Sequence, residues 1–132
     1  MPPGVAAAPG AGPGWERLAA ELRKVFPAVE VDGIWAFRTM RSGPREFGTA
    51  IVSRVEGDRR RIFTVRYGLT VKGKQRGEFE WGIDEVGSGP LAALEELLAL
   101  VPARGVEDEP PVPVEVAAWF PPAQPSDAGQ DD

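Results

Sequence analysis

The spacing of hydrophobic residues changes period along the chain. Trp15, Leu18, Ala19, Leu22, Val25 and Phe26 recur at helical intervals, with Glu16, Arg17, Glu21 and Lys24 off the stripe. Pro27 ends the pattern, because the residue before a proline is driven toward extended geometry. A helix over 15–26 is predicted, followed by a turn at Val31-Asp32-Gly33. From Ile34 to Val86 the period falls to two. Four extended segments emerge, about 34–41, 46–55, 60–72 and 78–86. They are separated by Ser42-Gly43-Pro44-Arg45, Glu56-Gly57-Asp58 and Gly73-Lys74-Gln75-Arg76-Gly77. These breaks are short and rich in turn residues, so an antiparallel meander is expected.

Parity then assigns faces. Phe63, Val65, Tyr67, Leu69 and Val71 are odd, as are Phe79, Trp81 and Ile83. Loops of three or five residues would keep odd positions on one face throughout. Trp35, Phe37, Phe47, Ile51 and Val55 then join that face as core. The expected pairings are Arg41 with Phe47, Phe37 with Ile51, Ile51 with Phe63, Phe47 with Tyr67, and Leu69 with Trp81. In the last hairpin Lys72 meets Glu78, Thr70 meets Glu80 and Arg66 meets Asp84.

Gly87-Ser88-Gly89-Pro90 reads as a helix start with Ser88 as N-cap. Leu91, Leu94, Leu97, Leu98 and Val101 supply an apolar stripe, giving a second helix over 89–101. Val112, Val114 and Val116 alternate with Pro113 and Glu115, a fifth strand that Pro113 restricts to an edge. The fold class is α+β: a four- to five-stranded antiparallel meander with two helices packed on one face.

Composition sets the limits of that domain. The chain has 132 residues, the size of one domain. Eight of the first 14 residues are Gly or Pro, and seven of the 14 prolines fall within 102–125. The expectation is a disordered segment at 1–14, a single domain at 15–118 and a flexible acidic, proline-containing tail at 119–132. Pro122 and Pro125 give that tail a PxxP spacing. No apolar run approaches a membrane span, and the first residues lack the basic and apolar regions of a signal peptide. A cytoplasmic location and no membrane partner are expected.

Cys and His are absent, which excludes disulfides, thiolate and imidazole chemistry and the commonest zinc sites. Ser42, Ser53, Ser88 and Ser126 stand in no nucleophile-elbow setting. A non-catalytic protein without a cofactor is expected, and no residue motif selects a family.

Charge is the strongest functional signal. The net charge of −5 conceals a split. Residues 1–34 are −1, residues 35–76 are +8, and residues 77–132 are −12. The basic stretch holds Arg38, Arg41, Arg45, Arg54, Arg59, Arg60, Arg61, Arg66, Lys72, Lys74 and Arg76. On the parity above, Arg38, Arg54, Arg66 and Lys72 share the even face, with Gly48 and Ala50 as a small-residue floor between them. Guanidinium groups beside small residues can approach phosphates closely. The expected function is a binding module for a polyanion, most simply single-stranded nucleic acid. Glu107, Asp108, Glu109, Asp127, Asp131 and Asp132 would modulate access by competing for the same cations. No stacking ring lies on the even face.

The alternative is a protein-interaction adaptor, in which the exposed sheet face or an edge strand forms a homodimer or binds an acidic partner. Ile34, Ala36, Met40, Val52 and Ile62 favour it, because on the even face they would leave an apolar patch.

Overall fold

The computed structural model describes residues 12–37, 39–101 and 111–120. Helix α1 spans Pro13–Val25. It begins two residues before the predicted start because Pro13 sits in its first turn, where the missing N–H costs nothing and φ is already helical. Trp15, Leu18, Ala19 and Leu22 are its buried stripe, as the spacing predicts. After a 3₁₀ turn at Ala28–Glu30 come β1 (Val31–Ala36), β2 (Met40–Ser42), β3 (Arg45–Glu56), β4 (Arg59–Thr70) and β5 (Phe79–Pro90). Helix α2 (Leu94–Leu98), β6 (Val112–Val114) and helix α3 (Val116–Trp119) complete the described chain. The sheet runs β5-β4-β3-β1-β6, with β2 pairing β3 beyond the end of β1. All of its pairings are antiparallel.

The expected α+β class holds, but the strand faces do not run as parity predicts. The β3–β4 turn is two residues long, Gly57-Asp58, because Glu56 pairs with Arg59. Gly57 has φ +62°, the left-handed backbone that a tight hairpin needs. A loop shorter by one residue exchanges the two sides of β3 relative to β4. Phe63 therefore faces Val52 rather than Ile51, and Tyr67 faces Gly48 rather than Phe47. Ile51 pairs Trp35 rather than Phe37, Phe47 pairs Met40 rather than Arg41, and Trp81 pairs Tyr67 rather than Leu69.

Two cores result, one on each side of the sheet. Beneath α1 lie Ile34 and Ala36 of β1, Ala50 and Val52 of β3, and Phe63, Val65, Tyr67 and Leu69 of β4. On the opposite side Phe37, Ile51 and Ile62 pack with Leu97 of α2. The helices thus cover opposite faces, which corrects the expectation that both share one. Ile34, Ala36, Val52 and Ile62 are buried and form no surface patch; of the five residues expected there, only Met40 is exposed.

The second helix is also shorter than its apolar stripe implies. Gly87–Pro90 continues β5 against Arg59–Ile62 of β4, after a bulge near Val86. Ser88 is a strand residue and caps no helix. A Cβ on Gly87 would stand 3.0 Å from Leu100 Cδ1, just after α2, and one on Gly89 would make ordinary contact with Leu97 Cδ2 at 3.4 Å. The predicted turn at Val31–Gly33 is instead the start of β1. β6 is an edge strand pairing β1, with Pro113 opposite Trp35. Trp119 and Phe120, read from sequence as the start of the tail, are buried against the α1 core. Residues 1–11, Arg38, the acidic run at Glu107–Glu109 and the segment 121–132 lie outside the described residues.

Candidate functional site

The expected anion groove of Arg38, Arg54 and Arg66 is not assembled among the described residues. Arg54 lies on the α1 side of β3, where its guanidinium stacks over Phe26 and pairs with Glu30 at 2.7 Å and Glu56 at 3.2 Å. Arg66 lies on the opposite face of β4, beside Asp84 at 3.3 Å. The inverted register of β3 separates them. Gly48 and Ala50 are a floor, as read from sequence, but the floor carries α1. A Cβ on Gly48 would stand 2.5 Å from Tyr67 Cε2 and 2.8 Å from Trp15 Cζ2. Glycine at 48 is what lets both rings pack there.

Most of the other cations are committed inside the fold. Arg61 joins Glu85 at 2.6 Å and Glu56 at 2.8 Å. These two carboxylates hold its proton more tightly than usual, and Arg61 in turn holds the Glu85 carboxyl below the ordinary carboxylate range. Arg60 binds Asp32 and the Leu91 carbonyl. Arg45 reaches Glu80 at 2.6 Å and stacks over Phe47, while Arg41 approaches Glu46 at 3.8 Å. Arg59 donates to the Ser88 hydroxyl at 3.3 Å. Such pairs contribute little stability when exposed, but carboxylate partners offset the charge of Arg41, Arg45, Arg60 and Arg61 that a polyanion would read, whereas Arg59 meets only a neutral hydroxyl. The Arg66–Asp84 pair was legible in the sequence; it forms diagonally, with Gly82 directly opposite Arg66. Lys72, Lys74 and Arg76 differ. They stand exposed on the turn between β4 and β5, with no carboxylate within salt-bridge distance among the described residues.

Charge counting does not single out the surface that the fold leaves open. β5 ends the sheet, and β4 is its only strand neighbour among the described residues. Phe79, Trp81 and Ile83 lie half-buried along it, packed at the margin of the α1 core. On the other side are Glu80, Gly82 and Asp84, with Glu80 70% and Asp84 59% exposed at the side chain. No heavy atom lies within 4 Å of where a Cβ on Gly82 would be. The bulge near Val86 limits the straight part of this edge to about Phe79–Glu85. The signal in the sequence is the alternation Phe79-Glu80-Trp81-Gly82-Ile83-Asp84, together with the absence of a further strand-forming segment directly after it.

A buried polar cluster lies beneath the first turn of α1. Tyr67 donates to Glu46 Oε2 at 2.8 Å, and the Trp15 indole donates to the Thr39 hydroxyl at 2.6 Å. Burial first, and the Glu46 bond second, push the Tyr67 phenol well above the ordinary tyrosine range. The cluster is closed by the helix above it and joins α1 to the sheet. Among the described residues no three carboxylates converge to hold a metal ion, and no helix is long and apolar enough to cross a membrane. The chain matches no protein-family model, and comparison with curated proteins and with solved structures finds no relative.

Proposed function

We propose that this protein is a non-catalytic interaction module that accepts a partner strand along the outer edge of β5. The open edge carries the reading. Along seven residues of regular strand, the outward backbone groups of alternate residues have no strand partner among the described residues, beside an apolar row on one face and, on the other, the exposed carboxylates of Glu80 and Asp84, each shared with one arginine of an inner strand. Backbone hydrogen bonds would supply affinity, and the two rows would supply specificity.

The chemistry of the edge selects the partner. A second copy fits poorly, because antiparallel self-pairing about Gly82 opposes Glu80 to Asp84 twice. A strand alternating apolar residues with Lys or Arg fits well. β4 already shows the match on the inner side of β5, with Phe63, Val65, Tyr67 and Leu69 on the apolar face and Arg66 on the acidic one.

A labelled peptide with the sequence Arg59–Thr70 is therefore the probe. Saturable binding is expected, with clear weakening by Glu80→Lys combined with Asp84→Lys. Equal binding of a peptide carrying Glu in place of every Arg would contradict the reading. So would a stable dimer by light scattering that the same double substitution leaves intact.

Lys72, Lys74 and Arg76 favour a second reading, in which the β4–β5 turn touches a polyanion. Oligonucleotide affinity should then fall with salt along a negative log–log slope, reduced by Lys72→Gln with Lys74→Gln. No binding at low salt removes this reading.

A further inference from the structure

A groove of about 540 Å³ runs between the start of α1 and the end of the β4–β5 hairpin. Its size lies within the range of roughly 300–1,000 Å³ common for small-molecule sites. Pro13 and Ala20 of α1 form one apolar wall, and Leu69 and Val71 form the other. Arg17 and Arg76 stand at its rim. The hairpin shapes it: the Gly77 N–H donates to the Thr70 carbonyl at 2.7 Å, and Gly77 takes φ +102°, which a side chain would strain.

The two arginines are available in different ways. Arg17 is preset, its guanidinium 4.7 Å above the Phe79 ring with one N–H directed at the Gly77 carbonyl at 3.4 Å. That leaves most of its donor fork unused. Arg76 is exposed and has no carboxylate partner among the described residues. Glu16 also lines the groove and offsets one of these charges, so the rim suits a single compact anion better than a polyanion.

We infer that this groove binds an amphiphilic anion: an apolar chain laid along Leu69, Val71 and Ala20, with a carboxylate or phosphate head held by Arg17 and Arg76. The apolar walls contribute by area removed from water, and the paired guanidinium groups fix the head. This site adjoins the start of the β5 edge, where Arg17 stacks over Phe79, but it takes a different ligand, and neither proposal depends on the other.

The test is calorimetric titration of the full chain with decanoate, decyl phosphate and decanol below their micelle thresholds. Saturable one-site binding of at least one anion is expected, with decanol much weaker. The head group preferred by the protein identifies the source. Arg17→Gln with Arg76→Gln should weaken the anion about tenfold or more, and Glu16→Gln should tighten it. Arg17, Arg76 and Glu16 are exposed, and unchanged circular dichroism will show that the variants fold. The proposal is overturned if neither anion binds saturably, if decanol binds as well as the anions, or if the double variant binds undiminished.

Discussion

Tyr67 and Glu46 share a hydrogen bond of 2.8 Å between buried groups on adjacent strands, directly under the N-terminal turn of α1. A Cβ on Gly14 in that turn would collide with Glu46 Oε2 and with the Tyr67 ring, so the glycine lets the helix settle onto the pair. The position also suits the charge. Unpaired N–H groups and the positive end of the helix dipole favour a carboxylate there. One point thus ties together α1, β3 and β4.

This arrangement fixes how the protein responds to base. Tyr67 is the single tyrosine of the chain, so its ionisation can be followed by ultraviolet absorbance without overlap from another phenol. Its raised pKa means that the folded protein keeps the proton where the unfolded chain, near the ordinary value of 10.0, releases it. The contribution of this group to stability is therefore fully present below that value and is lost as pH rises above it. Phenolate should appear only together with unfolding. A midpoint at the ordinary value in folded protein would contradict the buried bond.

Gly48 and Gly82 are both strand glycines with opposite surroundings. Gly48→Ala forces a Cβ against Tyr67 and Trp15 and should cost about 1–3 kcal/mol in urea unfolding. Gly82→Ala meets open space and should change stability by no more than about 0.5 kcal/mol. Equal costs would mean that α1 does not sit over Gly48.

Leu97 is the buried residue of α2 and packs with Phe37, Ile51 and Ile62 on the face opposite α1. Leu97→Ala should cost about 2–5 kcal/mol by urea unfolding. A loss within about 0.5 kcal/mol, typical of a surface site, would remove the second core.

The Glu85 carboxyl titrates low because Arg61 donates to both of its oxygens, at 2.6 and 3.0 Å. The stabilisation from this pair is present at neutral pH and is lost as pH falls through the lowered folded-state pKa. Arg61→Gln should return the Glu85 carboxyl toward its ordinary value in a carbon-detected NMR titration. An unchanged midpoint would assign the shift to another cause.

The order of elements was legible because helical and alternating periods are local properties. The stripe from Trp15 to Leu22 and the alternation from Phe63 to Leu69 are both found where the pattern places them. What inverted β3 against β4 was a single residue of loop length. Glu56 reads as a turn residue but ends β3, and β3 carries apolar side chains on both sides, Ile51 on one and Val52 on the other. A strand of that kind cannot report its own orientation, so the error passed to Arg54 and Gly48, while the second helix was displaced by the bulge near Val86 and the continuation of β5 to Pro90. Apart from Arg38, which lies outside the described residues, the candidate cations are exposed or half-buried, and the carboxylate partners of several come from distant strands. Arg60 with Asp32 and Arg45 with Glu80 are visible only once the sheet order is known. The open edge of β5 is likewise a property of sheet order rather than of any single segment.

Amide hydrogen exchange along β5 tests the account most directly. In the free protein, alternate amides from Phe79 to Glu85 should exchange fast, because they point away from β4, while their neighbours bonded to β4 exchange slowly. Adding the Arg59–Thr70 peptide should protect the fast set and leave the slow set unchanged. Uniform protection of β5 before any peptide is added, or no new protection at saturating peptide, would contradict an edge built to accept a strand.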